Sequence, residues 1–108
     1  MTLPDIIDRY LQAQDQRDNP SVLTTLAADA TIIDDGHRFN GHDEIEAWLA
    51  GGASEYTFTR TLVSAEAAGA DTWTVLNHIE GNFPGGTVDL RYQFTLADGL
   101  ITELVIAP

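Results

Sequence analysis

The sequence predicts an α+β domain in which three N-terminal helices pack on a curved antiparallel sheet. Three observations carry this reading. Apolar residues recur at helical spacing through the first half of the chain, the period changes to two from residue 55 onward, and Gly, Asp and Pro clusters separate the segments of the second half. With 108 residues, 44% of them apolar, the chain forms one domain over residues 1–108 with enough apolar side chains for a packed interior.

In the first helix, Leu3, Ile6, Ile7, Tyr10 and Leu11 share a stripe, with Asp5, Asp8, Arg9 and Gln12 opposite. Pro4, Asp5 and Asp8 suit its N-terminus, and the pattern stops around Asp18. Asn19-Pro20-Ser21 then offers a cap and a first-turn proline for a shorter helix carrying Val22, Leu23 and Leu26. Ala30 to Ile33 reads as a short strand ended by Asp34-Asp35-Gly36, and residues 36–42 read as a loop. Asn40 or His42 caps a third helix, in which Asp43 and Glu44 favour the dipole and Ile45, Trp48 and Leu49 form the buried stripe before Gly51-Gly52. Four strands follow at 56–65, 72–82, 87–96 and 100–107, separated by segments with turn chemistry.

Composition removes whole classes of function. Five basic residues, all Arg, against 17 Asp and Glu give a net charge of −12, which repels phosphate backbones and anionic lipids. Neither a nucleic-acid nor a membrane-surface role is expected. The absence of Lys removes Schiff-base chemistry and a phosphate-loop lysine. The absence of Cys removes thiol nucleophiles, disulfides and thiolate zinc sites. No apolar run approaches the roughly 20 residues of a membrane span. Pro4 and Asp5 stand where a secretory leader would carry basic and then apolar residues, so a cytoplasmic protein is expected. His37, His42, Asp43 and Glu44 match no metal-ligand spacing, and no metal is expected. The acidic excess fits either a GC-rich genome or adaptation to high salt, and both concern solubility.

Alternation assigns the faces of the strands. Val88, Leu90, Tyr92, Phe94 and Leu96 share one side; Trp73, Val75, Asn77 and Ile79 share another. Tyr56, Phe58 and Leu62 fall together with Arg60, whose long side chain either runs past the sheet edge to solvent or enters a pocket. Asn77 either faces a pocket or ties down a bulge or loop. On the other face His78 and Glu80 neighbour Asp89 and Arg91, forming a charged ladder or a dimer surface. If the helices cover the apolar face only in part, an apolar cavity with a few inward polar groups remains at the mouth.

Asp8-Arg9-Tyr10, the run Ala28-Asp29-Ala30-Thr31-Ile32-Ile33-Asp34, Gly41 ahead of Ile45 and Trp48, and the ending from Phe94 to Ile101 resemble the nuclear transport factor 2-like superfamily. Within it the chain looks like the SnoaL-like group, which includes polyketide cyclases, beside ketosteroid isomerases. The resemblance covers essentially the whole chain and implies a cone-shaped α+β barrel, no cofactor, and a homodimer through the outer sheet face. It also implies a site. Tyr10 matches the oxyanion-stabilising tyrosine of ketosteroid isomerases and Asp34 their proton-shuttling aspartate, while Trp48 matches a lining aromatic. Their protonated second acid falls on Leu90, and the final-strand aspartate of limonene-epoxide hydrolases falls on Ile106. Asn77 is the nearest inward polar group to the acid/base of the SnoaL-like cyclases.

The expected site therefore has Asp34 and Tyr10 as catalytic residues, with Trp48, Tyr56, Phe58, Asn77, Leu90 and Tyr92 binding a small hydrophobic carbonyl compound. A carboxylate facing such walls is desolvated and so a better proton acceptor, worth about 10²–10⁴-fold as a general base. A tyrosine hydroxyl aimed at the carbonyl stabilises the enolate that forms. The competing expectation is a non-catalytic small-molecule-binding module, or a dimeric interaction module, on the same fold.

Overall fold

The computed structural model describes residues 3–51 and 55–108. Pro4 occupies the N-cap of α1 (Asp5–Asp15), and Asp5 and Asp8 lie in the first turn, where the helix dipole favours negative charge. Ile6, Ile7, Tyr10 and Leu11 form the buried stripe. The Tyr10 ring meets Phe94 edge-on at 5.5 Å, which seats α1 on the sheet. A short α2 (Asn19–Thr24) follows with Pro20 in its first turn. Its cap is Asp18, one position ahead of the expected Asn19: the carboxylate accepts the Ser21 N–H at 3.3 Å and the Ser21 hydroxyl at 2.6 Å.

β1 (Leu26–Asp34) is longer than the expected 30–33, and the expected loop at 36–42 contains β2 (His37–Asn40). Asp35 (φ 52°) and Gly36 (φ 81°) make the two-residue turn that pairs Asp34 with His37. β2 is short, polar and at the sheet edge, so it carries no alternation of its own. α3 (Gly41–Ala50) starts after Asn40, whose backbone N–H is accepted by Glu44 at 2.9 Å. His42 Nε2 lies 3.1 Å from the carbonyls of both Leu26 and Ala27, tying α3 to β1 instead of capping it. Ile45, Trp48 and Leu49 are buried as expected, and Gly51 closes the helix. Gly52, the second glycine of that expected stop, lies outside the described residues.

The period-two region gives β3 (Phe58–Ala67), β4 (Thr72–Gly81), β5 (Thr87–Ala97) and β6 (Leu100–Ala107). The sheet is open, in the order β2-β1-β6-β5-β4-β3. All neighbours are antiparallel except β1 and β6, which run parallel. That one departure from the antiparallel expectation arises because β6 returns beside β1 through a long crossover, where no hairpin dictates direction. Register shifts in β1, β3 and at the β5–β6 pairing bend the strands around the helices.

The faces of β4 and β5 follow the alternation: Val75, Asn77, Ile79, Tyr92 and Phe94 are buried. β3 departs from it. Leu62 pairs with Asn77 and Ser64 with Leu76, leaving Val63 as the extra residue of a bulge on the edge strand. Leu62, expected inside, is 42% exposed there. Arg60 turns inward with only 11% of its side chain exposed, whereas His78 and Glu80 face out. His78 Nδ1 meets Asp89 Oδ1 at 2.6 Å across the β4–β5 hairpin and Nε2 meets Glu80 Oε2 at 3.5 Å, the charged ladder that the pairing implied.

Candidate functional site

Three elements converge on Asp34. β1 ends there, the Asp35-Gly36 turn fixes its direction, and α3 brings Trp48 over it. The indole Nε1–H donates to Asp34 Oδ2 at 3.0 Å. Oδ1 accepts no hydrogen bond from any described residue. Phe39 packs against Trp48 with ring centroids 5.9 Å apart, holding the indole from the far side. One carboxylate oxygen is thus oriented by the indole, while the other accepts nothing from the described residues.

Asp34 stands in the wall of a cavity of about 290 Å³ between α1, α3 and the inner face of the sheet. Of the eight expected site residues, six line it: Asp34, Trp48, Tyr56, Phe58, Leu90 and Tyr92. The wall is otherwise almost wholly apolar, completed by Leu49, Ile79, Phe83, Val88 and Ile106, with Gln14 as the remaining polar member. A few polar groups in an apolar cavity of this size is the usual composition of a small-molecule site. Gln14 went unread in the sequence because it follows the last apolar residue of the α1 stripe, although it lies four residues beyond Tyr10 and so on the same face. Phe83 sits in the β4–β5 turn and packs edge-on to Tyr56 at 6.0 Å, where no periodicity exists to flag it.

The two tyrosines behave differently. Tyr92 reaches the cavity, and its hydroxyl oxygen accepts the Gln14 amide at 3.0 Å, leaving its proton to donate elsewhere. Burial pushes its pKa up to about 12, so the phenol stays protonated at any physiological pH. Tyr10 lies behind the wall, fully buried and not part of the lining. Its hydroxyl has no hydrogen-bond partner among the described residues. Burial raises it well above the ordinary tyrosine range, with the neighbouring Tyr92 and Asp34 adding in the same direction. Tyr10 is therefore electrostatically in reach of Asp34 but separated from the cavity surface.

Asn77 is also outside the lining. It is fully buried, and its Oδ1 accepts from Arg60 Nη1 at 2.8 Å. Arg60 in turn grips Asp15 at the end of α1 with two bonds of 2.9 and 2.8 Å. The pair fastens β3 to β4 and α1. Among the described residues no three His, Cys, Asp or Glu are placed to hold a metal ion, and no helix is long and apolar enough to cross a membrane.

The SnoaL-like domain family matches residues 7–104, nearly the whole chain. The chain belongs to the SnoaL-like family. A candidate polyketide cyclase from Sinorhizobium meliloti shares 32% identity with this SnoaL-like domain over 97% of the chain and 95% of its own, with a TM-score of 0.90. The fold recurs in a Catenulispora acidiphila protein of ketosteroid isomerase-like fold, in complex with trimethylamine, at 22% identity, 99% and 87% coverage and a TM-score of 0.85. It recurs again in a Mycobacterium tuberculosis protein in complex with estradiol-17beta-hemisuccinate, at 17% identity, 95% and 90% coverage and a TM-score of 0.79. No match was found among curated proteins.

Proposed function

We propose that this SnoaL-like domain binds a small, largely apolar carbonyl compound in the cavity and moves a proton on it, in chemistry of the isomerase or cyclase type. The observation that carries the reading is the Asp34 carboxylate in an apolar wall, held through Oδ2 by Trp48 and with no donor on Oδ1 among the described residues. Asp34 is the proton shuttle: Oδ1 takes the proton α to the carbonyl and returns it at another position or after ring closure. The enolate oxygen needs a donor, and Tyr92 is the one we favour, because its side chain lines the cavity and its oxygen is already satisfied by Gln14. Tyr10, the donor that the family resemblance implies, takes that role only if the wall between it and the cavity moves. No step needs a cofactor. The estradiol ester in complex with the Mycobacterium tuberculosis protein agrees with a largely apolar guest. A homodimer through the outer sheet face belongs to the same proposal, and sedimentation velocity tests it.

The experiment is α-proton exchange. 2-Acetonaphthone in D₂O, followed by proton NMR, should lose its methyl signal faster with the protein than with buffer, and Asp34→Asn should remove the acceleration while the ketone still binds. Exchange that is equal in the wild type and Asp34→Asn would end the catalytic reading. The second reading, a binding module without turnover, draws on Leu90 and Ile106, which make the wall apolar at positions where the resemblance to ketosteroid isomerases and limonene-epoxide hydrolases implies acids. It predicts ketone binding with no exchange in either protein.

A further inference from the structure

A second hollow, of about 270 Å³, adjoins the cavity: Gln14 and Phe58 line both. Its other walls are Asp15, Arg17, Thr59 and Arg60, so two of the five arginines of a strongly acidic chain meet at one place beside the apolar cavity. The charges there do not cancel. Asp15 is committed to Arg60 through its paired bonds. Arg17 has no carboxylate partner among the described residues. Its guanidinium lies over the Phe58 ring, 5.7 Å from the centroid, and donates to the Tyr56 carbonyl. It thus sits on two of the residues that form the cavity wall.

The backbone under Arg17 adds an independent observation. α1 closes with the Asp18 N–H on the Ala13 carbonyl at 2.9 Å and the Arg17 N–H on the Gln14 carbonyl at 3.0 Å. This two-bond helix ending places its penultimate residue in the left-handed region, where glycine, or sometimes asparagine, stands. Here the position is Arg17, at φ 54°. A long side chain therefore occupies a site whose local backbone disfavours it, which is what a functional side chain does when stability alone would select glycine.

We propose that the ligand of the cavity carries a carboxylate, and that Arg17 in the adjoining polar hollow selects it. This rests on the reading of the 290 Å³ cavity as a small-molecule site. The apolar body of the ligand fills the cavity and its carboxylate passes Gln14 and Phe58 to the planar fork of Arg17, which matches a carboxylate with two parallel bonds. Arg60 assists. Three of its five N–H donors are used on Asp15 and Asn77, and the others remain for the same group.

The test uses 2-naphthylacetic acid and its amide, isosteric probes differing in charge, with dissociation constants read by calorimetry. The wild type should bind the acid about fivefold more tightly than the amide, the size expected of a charged contact at a partly solvated site. Arg17→Gly relieves the left-handed backbone, so it should fold at least as well, and it should lower the acid-to-amide ratio towards one, leaving only the share that Arg60 supplies. Arg17→Asn, also tolerant of that conformation, repeats the measurement. The ratio is internal to each protein, so altered cavity shape cancels. A wild-type ratio of one, or a ratio kept in both variants, overturns this inference and leaves the cavity reading standing. Failure of both probes to bind the wild type overturns both.

Discussion

Arg60 is the residue through which α1, β3 and β4 are joined, and its removal gives the most sharply defined loss of stability. In Arg60→Met the apolar stem is kept while three hydrogen bonds to Asp15 and Asn77 disappear. Asp15 is 39% exposed and regains water, so its share is about 1 kcal/mol or less. Asn77 is fully buried, and its Nδ2 is already without a partner. Stripping Oδ1 as well leaves that oxygen desolvated, at about 1–3 kcal/mol. Arg60→Met should therefore lose about 1–4 kcal/mol and Asp15→Asn about 1 kcal/mol or less. In the double variant Arg60→Met/Asn77→Leu both partners become apolar, and it should be about 1–2 kcal/mol more stable than Arg60→Met alone. Urea denaturation with slopes compared across the set reads these values. An Arg60→Met within about 0.5 kcal/mol of the wild type, or losses in the double variant that simply add, would refute the role given to Asn77.

Three further outcomes follow from other parts of the molecule. Tyr92 is raised from 10 to about 12 in the fold, so its stabilising contribution is present below pH 10 and is lost as pH rises through 12, a fall of roughly 3 kcal/mol. Tyr10 shifts in the same direction, so Tyr92→Phe should flatten alkaline unfolding only in part; an unchanged pH profile would contradict the burial argument. His78 is raised above 6.5, chiefly by its hydrogen bond to Asp89. Its ring protons should titrate above the free-histidine midpoint by NMR and return towards it in Asp89→Asn. Any stability from this pair is present below pH 6.5 and fades as pH rises through the raised midpoint. At Gly81 a methyl group would lie 2.4 Å from the Thr57 carbonyl oxygen and 2.9 Å from the Phe83 ring. Gly81→Ala should cost about 1–3 kcal/mol and displace Phe83 from the cavity wall, seen as weaker ketone binding at unchanged Asp34.

The architecture was legible because two periods are written plainly. The stripe of α1 and the alternation of β5 each survive into the structure, as does the reading of Tyr92, Leu90 and Trp48 as cavity-facing. β2 was hidden because four polar residues on an edge have no buried face to advertise, although Asp35-Gly36 carried the turn signal. Leu62 misled because it keeps the register of the buried Asn77 and yet lies next to a bulge on the edge strand, where it is left uncovered, and nothing in Leu62-Val63-Ser64 announces that. Arg60 was undetermined because direction depends on Asp15, 45 positions away, which only the fold brings within reach. Tyr10 shows the limit of spacing: a correct position on a helix stripe fixes which way a side chain points, but whether it stops at a cavity or behind its wall depends on the thickness of the packing between α1 and β5.

The central claim is tested most directly by a crystal structure with 2-acetonaphthone bound. The account predicts the naphthyl group between Trp48 and Leu90, the methyl carbon about 3–3.5 Å from Asp34 Oδ1, and the carbonyl oxygen accepting from the Tyr92 hydroxyl. A ketone whose carbonyl faces solvent, with Asp34 Oδ1 bonded only to water, would contradict it.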